Sequence, residues 1–152
     1  MTTVLQKLEQ GISAGTLATM PMTAVMLGAQ RLGLLGKAPP AKITDAALDA
    51  ADVPARRSER ALATALAHFG FGAAAGAIYS VLRPGTPSLA RGAIEGAVFA
   101  TGVWAASYAG WVPALGIMPP PKQDRPGRPA SMIVAHWVFG AVLGMFVAAR
   151  RK

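Results

Sequence analysis

The sequence predicts an all-α integral membrane protein, with four transmembrane helices arranged as two pseudo-symmetric parallel-repeat hairpins in a single domain. Three observations lead there. Of 152 residues, 53% are hydrophobic and only 14% charged, whereas a soluble domain carries about 25% charged residues. Four stretches lack Lys, Arg, Asp and Glu altogether, namely Gly11–Gln30, Ala61–Leu82, Gly96–Met118 and Ser131–Ala149, and a span needs about 20 such residues. The second and fourth stretches also repeat one another in register. The apolar runs exclude a soluble enzyme and a disordered chain, and the absence of Cys excludes a disulfide framework.

Taken in order, the spans are expected at about 11–30, 61–82, 92–118 and 131–149, with a polar connector over 37–60. No cleavable signal is read in Met1–Gln10, which mixes Lys7 and Glu9. The first span holds Gly11 and Gly15 at a spacing that lets helices approach closely, and Pro21 predicts a kink. Pro39-Pro40 is expected to end it. In the connector, Thr44-Asp45 reads as a helix N-cap and Pro54 as a stop. Arg83-Pro-Gly-Thr-Pro reads as a turn, with Thr86 as N-cap and Pro87 at the first helical position. The third helix opens with Arg91 and Glu95 at i, i+4, an expected interfacial ion pair. Trp111 suits an interfacial belt, and Trp104 a core or lipid-facing position.

The repeat is the most informative feature. At a constant offset of 68, Arg57, Arg60, Ala67, His68, Phe71, Gly72, Ala73 and Gly76 recur as Arg125, Arg128, Ala135, His136, Phe139, Gly140, Ala141 and Gly144. Both histidines of the chain therefore match. The other helices echo each other through Gly11/Gly15 and Gly92/Gly96, and through Leu35-Gly-Lys-Ala-Pro-Pro and Leu115-Gly-Ile-Met-Pro-Pro. Two spans per half keep the halves in the same sense, with a pseudo-two-fold axis along the membrane normal. Each His stands eight residues beyond an interfacial Arg, about 12 Å along a helix, and leads a Gly stripe at i+4 and i+8. Both should face the bundle interior at one depth.

The net charge of +8 would suit nucleic acid in a soluble protein. Here the basic residues flank the apolar runs, from Arg31 and Lys37 to Arg150, Arg151 and Lys152, so the expected partners are the bilayer and its anionic phospholipid headgroups, not nucleic acid. A homo-oligomer or a larger membrane complex is a further expected setting. The carboxylates Asp45, Asp49, Asp52 and Asp124 are expected in loops, away from both His, so no catalytic residue and no metal site is assigned.

The Ala-His-x-x-Phe-Gly-Ala-x-x-Gly element, read with Gly-x-x-x-Gly-Thr-Leu-Ala-Thr-Met-Pro-Met and Leu-Gly-x-x-Pro-Pro, resembles small bacterial inner-membrane proteins of unknown function, the YagU-like group. The resemblance implies a bacterial multi-pass inner-membrane protein and supplies no catalytic residue. The leading functional expectation is a non-enzymatic accessory or structural protein without a cofactor. The alternative is a bis-histidine electron-transfer protein, with His68 and His136 ligating haem b or a metal, and a third reading is a small proton-linked transporter.

Overall fold

The computed structural model describes residues 3–83, 85 and 87–150, all helix, turn and loop with no strand among them. The chain's Thr86, Arg151 and Lys152 lie outside the described residues. Helix α1 spans Val4–Arg31 and starts at a reciprocal cap, in which the Thr3 hydroxyl accepts from Gln6 N at 3.2 Å and the Gln6 side chain accepts from Thr3 N at 2.9 Å. It runs unbroken through Pro21. It closes at Gly33, whose φ of +74° lets Leu34 N reach back to Ala29 O at 2.9 Å.

Pro39 and Pro40 do not end the first helix, as the sequence suggested. They open α2, Pro39–Ala50, because a proline in the first turn lacks only an N–H that has no intrahelical partner there. Asp45 and Asp49 consequently sit on a helix and not in a loop, and the N-cap is Ala38 instead of Thr44. Helix α3 covers Arg57–Leu82, and the Glu59 carboxylate accepts from Arg56 N at 2.6 Å.

Helix α4 covers Leu89–Ala106. Its N-cap is Ser88, whose hydroxyl accepts from Arg91 N at 3.2 Å, so Pro87 precedes the helix. A π turn follows over Ser107–Trp111, then one α turn, α5, Val112–Ala114. The path closes at Gly116, φ +69°, with Ile117 N bonded to Val112 O at 3.2 Å. Last comes α6, Arg128–Ala149. Three of the described helices, α1, α3 and α6, are long and apolar enough to cross a membrane. Helix α4 differs because Arg91 and Glu95 stand in its first turns and the α geometry breaks at Ser107.

Glycine sets the packing. Gly11 and Gly15 of α1 lie against Gly76 and Gly72 of α3, so closely that a Cβ on any of the four would strike the facing backbone or, at Gly72, the Thr19 hydroxyl. Gly92 and Gly96 of α4 meet Gly144 and Gly140 of α6 in the same way. Both pairs are antiparallel. Helices α1 and α6 also pack together, joining Ala14, Ala18, Met22, Leu143 and Val147 in one buried core. Arg150 reaches the Ser13 hydroxyl, which brings the end of α6 beside the start of α1. Helices α3 and α4 hardly touch, and meet around Tyr79, whose ring lies 5.2 Å from that of Phe99 and whose hydroxyl donates to Gly92 O at 3.5 Å. Leu62, Leu66 and Ile78 of α3 and Ile94 and Val98 of α4 are each more than half exposed, a surface suited to lipid.

At the opposite end, a polar cluster ties the loops down. The Asp124 carboxylate, 1% exposed, accepts from Arg128 Nη1 at 2.6 Å, from the Tyr108 hydroxyl at 2.5 Å and from Arg125 N at 2.7 Å. Arg128 Nε donates to Leu35 O at 3.0 Å and Arg125 Nη2 to Gly33 O at 2.8 Å. Arg125 and Arg128, expected at the headgroups, are thus engaged with the protein.

Two measurements check this packing. Gly15→Leu and Gly96→Leu should each force a hairpin apart, lowering the detergent-unfolding midpoint well below that of the exposed-site control Gly70→Leu, since nothing lies near a Cβ at Gly70. Asp124→Ala should cost about 3–5 kcal/mol, the usual loss when one partner of a buried ion pair is removed, measured by the same unfolding curves.

Candidate functional site

The two histidines share a cavity of about 210 Å³, bounded by α1, α2, α3, the α4–α5 segment and α6. Each ring nitrogen that bonds to the protein has its role set by its partner. The Thr23 hydroxyl donates to Thr19 O at 2.7 Å, so at 3.2 Å from His68 Nε2 its oxygen is left to accept, and Nε2 carries the proton. His136 Nδ1 lies 2.7 Å from Met132 O. A carbonyl only accepts, so Nδ1 is the donor there.

The histidines therefore line one cavity but use different partners, His68 on α1 and His136 on its own helix. Thr23 and the Gly stripes explain why: with Gly15 against Gly72, α1 and α3 come close enough for the Thr23 hydroxyl to meet the ring one turn before Gly72. Trp104, on α4, carries an indole N–H buried without a partner.

The remaining polar groups of the cavity turn back on the protein. Thr19 donates to Gly15 O at 2.8 Å, Thr44 to Pro40 O at 2.9 Å and Ser107 to Val103 O at 2.7 Å. Apolar surface dominates what is left, from Met22, Ile43, Phe71, Val103 and Phe139. Helix α2 closes one end with Pro39, Pro40 and Ile43, a role the sequence did not suggest for a solvated connector. The π turn contributes Ser107, Tyr108 and Trp111 to the wall, and such single-turn bulges recur at functional sites.

This shape bears on the haem reading. A cavity of about 150 Å³ takes up benzene, and 210 Å³ is enough for one substituted ring. His68 Nε2 is also turned to Thr23 instead of into the cavity. A metal would find two imidazoles and no carboxylate among the described lining residues, and among those residues no group of three His, Cys, Asp or Glu comes together.

The carboxylates are committed elsewhere. Glu95 accepts from Arg91 Nε at 2.7 Å and also pairs with Arg83, a buried partner the i, i+4 spacing did not reveal. Asp45 pairs with Lys37 and, at 3.1 Å, with Arg60, whose other nitrogen holds Asp49 at 2.7 Å. The hydrogen bond from Lys37, then that from Arg60, holds the Asp45 carboxyl below its ordinary pKa.

A family model matches residues 5–151, nearly the whole chain. The chain belongs to DUF6789, a family of unknown function. No curated protein and no solved structure matches it.

Two outcomes follow from this geometry. Because the histidines line one cavity, the unfolding losses of His68→Ala and His136→Ala should depart from additivity in the double variant by more than about 0.5 kcal/mol. Because the folded pKa of Asp45 is lowered, its ion pairs act at neutral pH and fade as pH drops below the usual carboxylate range, about pH 4. Protease access to the 51–56 loop should then rise on acidification, and Asp45→Asn should show that access already at neutral pH.

Proposed function

We propose that the protein is a non-enzymatic, four-span protein of the bacterial inner membrane, built from two pseudo-symmetric hairpins and acting as an accessory or structural component rather than a catalyst. One observation carries the reading: Gly11/Gly15 against Gly76/Gly72 and Gly92/Gly96 against Gly144/Gly140 are the same contact made twice, at positions the sequence repeat equates. Between helices in lipid no hydrophobic force operates, so close backbone packing supplies the association.

The fourth crossing is supported by α4 itself. From Leu89 to Ala114 the helical path is about 39 Å long at 1.5 Å per residue, against a hydrocarbon core of about 30 Å. It lies antiparallel to α6 along their glycines, as α1 does to α3. Its two charges near the start, Arg91 and Glu95, pair with each other, and Glu95 also pairs with Arg83. Against a catalytic role stands the cavity wall, where the hydroxyls bond to carbonyls or to Asp124 and no described carboxylate lies beside either imidazole. Anionic headgroups are the partners proposed for the exposed Arg56 and Arg57, and a homo-oligomer or larger membrane complex is the proposed setting.

Reporter fusions test the topology. Fusions before Thr3 and after Arg150 should report the same compartment, and an insertion at 116–119 the opposite one. Opposite compartments for the two ends would refute four spans.

A further inference from the structure

We propose that the cavity beside His136 is a binding site for a lipid-soluble phenol or hydroquinone, a single ring whose hydroxyl donates to His136 Nε2 and whose apolar substituent leaves between α3 and α4 into the bilayer. The route of entry rests on the four-span reading; the cavity and its hydrogen-bond character do not.

The chemistry of the wall selects a donor. Met132 O holds the proton of His136 on Nδ1, and a neutral imidazole then has a bare acceptor at Nε2, on the side of the ring turned away from α6. The hydroxyls of Thr19, Thr44, Ser107 and Tyr108 have each spent their hydrogen on a carbonyl or on Asp124, so they too meet a ligand as acceptors. A quinone or ketone, which only accepts, finds no donor in these hydroxyls or in His136 Nε2. A hydroxyl-bearing ring finds partners.

Size and access narrow the class. About 210 Å³ exceeds the roughly 150 Å³ that accommodates benzene and leaves room for ring substituents, while a bulky polycycle or a whole phospholipid does not fit. The pseudo-symmetric counterpart of the α3–α4 seam is the α1–α6 seam, which is closely packed. The α3–α4 seam closes only near Tyr79 and Phe99. Above that contact Phe71, half exposed, borders both the cavity and the outer surface, with Val103 across the cavity wall, giving an alkyl chain a way out to lipid.

The test uses the purified full-length protein in detergent with two probes of matched size, 4-butylphenol and its methyl ether, 4-butylanisole. Equilibrium dialysis of the protein-containing against protein-free micelles should show saturable uptake of the phenol at one per chain. Its affinity should exceed that of the ether by about ten-fold, the factor that one hydrogen bond of ordinary net strength supplies. His136→Leu should bring the phenol down to the level of the ether, and Val103→Phe, which places a ring in the cavity, should abolish saturable uptake of both. Equal affinity for the two probes in the wild type, uptake that never saturates, or wild-type binding by a folded Val103→Phe protein would each overturn the proposal. The comparison of the two probes needs no variant, so a misfolded substitution does not leave the matter open. Failure of the four-span reading would appear instead in the reporter fusions, without changing binding in detergent.

Discussion

The close approach of backbone to backbone along two glycine faces is the constraint on which the rest of this structure depends. In lipid an apolar side chain gains nothing by leaving the solvent, so helices associate where dispersion contacts are dense. Gly11, Gly15, Gly72 and Gly76 make one such seam, and Gly92, Gly96, Gly140 and Gly144 another. Because both seams are made of carbonyls and α-carbons, they admit no larger side chain, and the relative height of the helices is set by them. The Thr23–His68 bond follows from that register, as does the meeting of Tyr79 with Gly92 across the other junction.

The two halves make the same contact internally yet different ones to each other. Helix α1 packs on α6 with small and medium residues such as Ala14, Ala18 and Val147, all fully buried. The seam that a strict two-fold would make equivalent, α3 with α4, is instead held at one end by Tyr79, Phe99 and the Arg83–Glu95 pair. At the other end the π turn widens α4 where Tyr108 and Trp111 must point at the cavity and at Asp124.

Much of this arrangement was legible in the sequence, for a physical reason. The long apolar helices and the glycine stripes are periodic signals, and a helix of constant pitch converts spacing into facing. Local chemistry read less well. Pro39-Pro40 is compatible with either end of a helix, and only the left-handed turn at Gly33 shows that α1 has already finished. The role of Asp124 depends on Tyr108 and on backbone carbonyls at Gly33 and Leu35, partners separated from it or from its arginines by up to ninety-three residues, and no spacing rule relates them. The π turn leaves no periodic trace, because one extra residue in a helix shifts the register without changing the composition.

Arginine makes the same point about polar ends. Arg60 and Arg128 occupy equivalent places in the repeat, and each begins a returning helix by gripping carboxylates, Asp45 and Asp49 in one half and Asp124 in the other. The pairs differ in burial, so they differ in consequence. The Arg60 pairs are partly solvated and responsive to pH and salt, and they tie α2 to α3. The Arg128–Asp124 pair is withdrawn from solvent and backed by Tyr108 and Leu35 O, which makes that wall of the cavity rigid. The helix that carries His136 is thus anchored by a buried ion pair, and α2, which lines the cavity with Pro39, Pro40 and Ile43, by partly solvated ones.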